Sequence, residues 1–351
     1  MSQTTSIGTF TTEAGATIPD VDIAYTTYGT YTGDNLVLVE HALTGDQDAA
    51  DWWPGIIGPG LPLDTDRYFI VCTNVLGGFS GTTGPSSPHP DGGYFGSRFP
   101  AISIRDQVAA EHAFIQAMGW DHIHAVIGGS MGGARTLEWS IMFPDMLSGA
   151  LILAISARAS AWQVGIQTAQ INFITSDPNW QGGDYYGTGH TPNIGLASAR
   201  KIAHLTYRGE LELDERFGVD PQAGENPLGP WRHPDQRFAI QSYLDYQGKK
   251  LVQRFDAGTY VALTEALNRH NVGRGRGGLV KALAQSTVPS MVVGIDTDIL
   301  YPFHQQEHLA RNLGNVIGMH RVTSPVGHDG FLLETRQLDA IMRNFLAAIA
   351  S

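Results

Sequence analysis

Apolar residues fall into short uninterrupted runs, separated by longer stretches in which they recur every three or four positions. Residues 36–40, 68–73, 123–127, 151–155, 290–295 and 319–323 are runs of the first kind. Short runs rich in β-branched residues, with no polar alternation, predict strands covered on both faces. Helical spacing marks residues 104–118, the segment after Ser130, and residues 303–313 and 331–348. Strand and helix in alternation predict an α/β fold, with a mostly parallel central sheet and helices on both faces.

Residues 159–286 break this rhythm. They lack strand runs and carry polar helical patterns interrupted at Gly182-Gly183 and Asn226-Pro227. The segment that follows is too short to fold alone. The expected organisation is therefore a core of residues 1–158 and 287–351, with residues 159–286 inserted as a mainly helical cap over the carboxyl edge of the sheet.

Composition narrows the classes. With 42% hydrophobic residues over 351 positions, the chain can bury a large core without cross-links. Its one cysteine, Cys72, lies in an apolar run and reads as a small buried strand residue rather than a catalytic thiol. A lone cysteine fits a reducing cytoplasm. The opening residues are polar, and no run reaches the ~20 apolar residues of a spanning helix, so a soluble cytoplasmic protein without membrane contact is expected. A formal charge of −12 argues against nucleic acid and anionic membranes as partners.

Candidate chemistry centres on Gly128-Gly129-Ser130-Met131-Gly132-Gly133, between a predicted strand and a predicted helix. Serine among glycines also makes ordinary turns; the strand–turn–helix context is what marks a nucleophile elbow. The glycines permit a tight turn that lifts the hydroxyl, and the helix N-terminus favours developing negative charge. A serine hydroxyl needs a base and an orienting carboxylate, which in the α/β-hydrolase fold follow in the order Ser, Asp or Glu, His. Asp296 and Asp298 follow the 290–295 strand, and His328 follows the last one. Both aspartates remain candidates on position alone. Two N–H groups are expected to form an oxyanion hole, Met131 beside the nucleophile and Leu43 in the loop after the 36–40 strand.

Two other patterns compete for attention. His304 and His308 lie one turn apart, yet no third ligand stands nearby, and no metal is expected. Gly273-Arg274-Gly275-Arg276-Gly277-Gly278 satisfies a dinucleotide fingerprint formally but follows a helix, so a loop is expected, with arginines free to meet an anionic acyl donor.

Taken together, several motifs resemble the homoserine O-acetyltransferases of methionine biosynthesis, the actinobacterial ones especially. They are His41-Ala42-Leu43-Thr44-Gly45-Asp46, Asn74-Val75-Leu76-Gly77-Gly78, the elbow with Leu137-Glu138-Trp139, and Ala199-Arg200-Lys201-Ile202-Ala203-His204-Leu205-Thr206-Tyr207. Asp296-Thr297-Asp298-Ile299-Leu300-Tyr301-Pro302 and Gly327-His328-Asp329 complete the set, which spans nearly the whole chain. The resemblance implies that Asp298 is the triad carboxylate beside Ser130 and His328. It also implies substrate contacts at Arg200, Asp329 and Tyr207, acetyl-CoA as co-substrate, L-homoserine as acceptor, and a homodimer built through the cap helices. Succinyl-CoA as donor, serine as acceptor, and simple ester hydrolysis by the same triad are the alternative outcomes.

Overall fold

A computed structural model describes residues 2–229 and 234–350. Eight strands form one sheet: β1 (Gln3–Thr11), β2 (Thr17–Tyr28), β3 (Leu36–Glu40), β4 (Phe69–Thr73), β5 (Ala125–Gly129), β6 (Ala150–Leu153), β7 (Ser290–Ile295) and β8 (Val316–Val322). Their spatial order is β1-β2-β4-β3-β5-β6-β7-β8. From β4 to β8 every neighbouring pair is parallel, while β1–β2 and β2–β4 are antiparallel. The strands β3, β4, β5, β6 and β7 are buried at every position.

Alternation nonetheless decides which side each residue serves. Leu36, Leu38, Val126 and Ile152 pack with the helices Ile104–Ala117 and Met131–Met142. Val37, Val39, Ile127 and Leu153 face the other way, against Trp53 and the C-terminal helix Thr335–Ile349. Both faces are thus covered, and the strands read as continuous apolar runs for that reason.

Two elements lie outside the sequence expectation. The hairpin β1–β2 carries many threonines and, along β1, no fully buried position, so its apolar signal is weak. It also makes the sheet mixed at one edge. The single helix expected over 331–348 is two helices, Gly330–Leu333 and Thr335–Ile349, divided at Glu334, whose ψ of 52° is not helical.

Between β6 and β7 the chain makes a helical excursion through Ala161–Thr175, Asn193–Tyr207, Glu210–Phe217, Ala239–Val252, Ala257–Asn268 and Leu279–Ala284. Its first helix opens with a capping box, in which Ser160 accepts from the Gln163 N–H and the Gln163 side chain returns to Ser160. The excursion has a hydrogen-bonded neck. Ala159 N–H donates to the His270 carbonyl at 2.9 Å and Val272 N–H to the Ala157 carbonyl at 3.0 Å, around an Arg158–Asn271 bridge. The excursion is tied to loops at the carboxyl ends of β7 and β8. Gln163 Nε2 donates to the Leu300 carbonyl at 2.7 Å, and Gly209 N–H to the Val326 carbonyl at 2.7 Å. Among the described residues no helix is long and apolar enough to cross a membrane.

Candidate active site

The turn between β5 and the helix Met131–Met142 is strained where the chemistry would be. Ser130 adopts φ 57° and ψ −124°, a backbone conformation that non-glycine residues rarely occupy. Its neighbours make room for this by lacking side chains. A Cβ on Gly132 would stand 2.0 Å from the Glu40 carbonyl oxygen, and one on Gly128 would stand 2.5 Å from the Gly132 backbone. Strand β3 and the elbow therefore meet backbone to backbone.

Ser130 Oγ lies 2.9 Å from His328 Nε2, and His328 Nδ1 lies 2.6 Å from Asp298 Oδ2. With the Nδ1 proton committed to a carboxylate, Nε2 is left as the acceptor for the serine hydroxyl. The other oxygen of Asp298 accepts the Leu300 and Tyr301 N–H groups, both at 2.8 Å, so the carboxylate cannot rotate away. Asp296 accepts from the Ser324 N–H instead, on the far side of the same turn. Burial alone would lower the His328 pKa; the Asp298 charge and hydrogen bond outweigh it and raise the imidazole above its ordinary value.

Ser130 and His328 line a cavity of about 460 Å³ that also takes in Leu43, Arg200, Tyr207 and Asp329. Arg200 makes no ion pair among the described residues; its guanidinium lies 5.3 Å from the centre of the Tyr207 ring. The Tyr207 ring in turn sits 5.8 Å from that of His328. Burial raises the Asp329 pKa, with His328, Arg200 and Arg208 acting against it. The cavity thus offers an unpaired cation and a carboxylate within reach of one nucleophile. The Met131 and Leu43 N–H groups, expected as oxyanion donors, have no acceptor among the described residues.

The family model for the α/β-hydrolase fold matches residues 35–335. A homoserine O-acetyltransferase of Corynebacterium efficiens is 64% identical over 99% of this chain and 93% of its own length. That of Corynebacterium diphtheriae is 66% identical over 97% of this chain and 92% of its own. The chain belongs to the homoserine O-acetyltransferase family. Among solved structures, esterase E22 superposes with a TM-score of 0.88 over 99% of both chains at 24% identity, a likeness of fold alone.

In this family member the sequence reading of the Gly273–Gly278 segment needs correction in one respect. It is a loop, but Arg274 pairs with Glu13 at 2.5 Å and Arg276 with Glu138 at 2.7 Å. Neither lines the cavity that holds Ser130. His304 and His308 sit on the helix Phe303–Asn312, and no group of three or more metal-ligating side chains gathers among the described residues. Lys250 and Arg254, which do line the cavity, went unnoticed in the sequence because polar helical patterns there look like any solvated face.

Also unnoticed was a buried ion cluster of Glu40, Glu111 and Arg135 under the elbow. Two signals pointed to it. Glu40 ends a wholly apolar run, and Arg135 falls midway between Met131 and Trp139 on one buried helix face.

Proposed function

We propose that this chain acetylates the side-chain hydroxyl of L-homoserine with acetyl-CoA, through an acetyl-Ser130 intermediate. His328, oriented by Asp298, takes the Ser130 proton as Oγ attacks the thioester carbonyl. The carbonyl oxygen becomes an oxyanion held by the Leu43 and Met131 N–H groups. As it collapses the C–S bond breaks, and His328 returns its proton to the departing CoA sulfur. The homoserine hydroxyl then gives its proton to His328 and attacks acetyl-Ser130, which releases the acetylated product and the free serine.

The observation that carries this reading is the placement of Arg200 and Asp329 in the nucleophile's own cavity. An α-amino acid presents a carboxylate and an ammonium. The Arg200 fork suits the first, the Asp329 carboxylate the second, and Tyr207 shapes the space between. Residues 159–286 act as the cap that limits water at the acyl-enzyme. Exposed Phe173, Ile194 and Leu205 on the cap helices support its use as the contact between two copies in a homodimer. A single buried cysteine supports a cytoplasmic setting.

The test is a matrix of acetyl- and succinyl-CoA against homoserine, serine and water, run with rapid mixing. Acetyl-CoA with homoserine should turn over fastest, with a burst of CoA release in its absence that Ser130→Ala removes. Equal turnover with water would make the protein a hydrolase, preference for succinyl-CoA or serine would change its substrates, and strictly ternary kinetics would remove the acyl-enzyme.

A further inference from the structure

Arg135 is wholly buried, four residues beyond the head of the nucleophile helix. Its Nη2 donates to the His41 carbonyl at 2.7 Å. Its Nη1 is paired with Glu40 Oε2 at 2.7 Å and with Glu111, which also accepts from Thr73 Oγ1 at 3.0 Å and Trp139 Nε1 at 3.1 Å. Glu40 is the last residue of β3, and His41 begins the loop that carries Leu43. The His41 ring is fixed as well: Val75 N–H donates to Nε2 at 3.1 Å, and Nδ1 lies 2.7 Å from the Ala42 carbonyl. That pairing requires a neutral ring with its proton on Nδ1, and burial together with the Arg135 charge pushes the His41 pKa down to about 3.

These contacts join two places that must agree in position. The Met131 N–H heads the helix that bears Arg135. The Leu43 N–H lies two residues beyond the carbonyl that Arg135 holds. We propose that Arg135 is a positioning residue for acyl transfer, setting the separation of the two oxyanion donors by fastening the loop of residues 41–45 to the nucleophile helix. The inference rests on the reading of Leu43 and Met131 as those donors. A buried arginine is a costly way to stabilise a core, since apolar side chains of similar volume commonly do as well. Its planar fork does something they cannot, meeting the His41 carbonyl through Nη2 and the Glu40 and Glu111 carboxyl groups through Nη1 from one rigid group. Lysine keeps the charge, but its three donors share one nitrogen on a flexible stem and cannot span these partners as two separated nitrogens do.

The experiment compares wild type, Arg135→Lys and Arg135→Met in the acylation half-reaction, with acetyl-CoA and with p-nitrophenyl acetate. Burst amplitude counts folded sites, and the rate within the burst is per folded site, so loss of folding is read separately from loss of catalysis. Arg135→Lys should acylate about 10- to 100-fold more slowly per site with both donors, with KM for acetyl-CoA within about threefold of wild type. A trifluoromethyl ketone that forms an oxyanion adduct on Ser130 should bind more weakly by the same factor, and Arg135→Met should lose more than Arg135→Lys in both measurements. A variant with lower amplitude and melting temperature but an unchanged rate per site and unchanged ketone affinity would show a merely structural arginine and overturn the proposal. A rise in acetyl-CoA KM with p-nitrophenyl acetate unaffected would overturn it too, in favour of a donor-binding role. A wild-type burst that survives Ser130→Ala would remove the acyl-serine reading and this inference with it; a normal wild-type burst with unaltered variants removes this inference alone.

Discussion

His328 holds two opposed pH dependences. Burial pushes its pKa down and Asp298 pushes it up, with a net rise. The proposed mechanism needs the neutral ring, so kcat/KM should fall as pH drops through a midpoint above the ordinary imidazole value of ~6.5. Stability runs the other way: a folded-state pKa above the unfolded one contributes stability that is fully present below the unfolded pKa and is lost as pH rises through the folded one. A pH–rate profile beside a pH–melting profile should show the two limbs moving in opposite senses. Asp298→Asn should shift the acid limb of the rate profile downward and cut kcat by about 10³–10⁴-fold, because the amide no longer fixes the tautomer. Arg200→Lys should raise the KM for homoserine about 10- to 100-fold while leaving CoA burst release intact, which steady-state and rapid-mixing assays separate. The serine was legible in sequence because it directly follows a strand, and the histidine because it lies in the loop after the last one. Asp298 was not separable from Asp296 by position, since both sit in one turn; only the resemblance distinguished them. Arg135 was invisible as a functional residue for a different reason. A charge on a buried helix face announces that it has partners, but not that one of them is the carbonyl of residue 41.

At the level of elements, the parallel strands were legible because burial on both faces removes polar alternation. Their ends were less so: the run at 123–127 becomes a strand at Ala125–Gly129, with Ile123 drawn off to a separate bridge with Leu147. Of the β1–β2 hairpin, β1 was missed because an edge strand that buries little need not be apolar, and β2 because its buried positions are interrupted by Asp20 and Asp22, so that no continuous apolar run forms. The contact between β3 and the elbow allows a direct test. Gly132→Ala would bring a methyl group to 2.0 Å from the Glu40 carbonyl oxygen, with backbone on both sides and nothing flexible to yield. Forced overpacking of this kind commonly costs ~1–3 kcal/mol. Denaturant unfolding should show that loss. The burst rate per folded site should fall as well, because the parts pushed apart carry the two N–H groups proposed as oxyanion donors.

For the whole molecule, the boundary between sheet and excursion was legible as a change of rhythm, while the contacts across it were not. Gln163 shows why. Its amide serves both its own helix cap and the Leu300 carbonyl, two residues from Asp298. Gln163→Ala should loosen the excursion from the loop that holds Asp298. Acetyl-CoA hydrolysis should then rise several-fold relative to transfer, as measured by CoA release with and without homoserine. A fixed ratio would mean that this contact does not govern water entry. The neck at residues 157–159 and 270–272 gives the part of the excursion from Ala161–Thr175 to Ala257–Asn268 a defined root: its two stems are bonded to each other, so what lies beyond can lengthen, shorten or be exchanged without disturbing any strand register. Ser130, Asp298 and His328 belong to the frame; Arg200 and Tyr207 hang from the lobe. A lineage could therefore revise the part of the pocket proposed to grip the acceptor's carboxylate by editing one appendage, while Asp329 and the residues proposed to activate serine stay untouched.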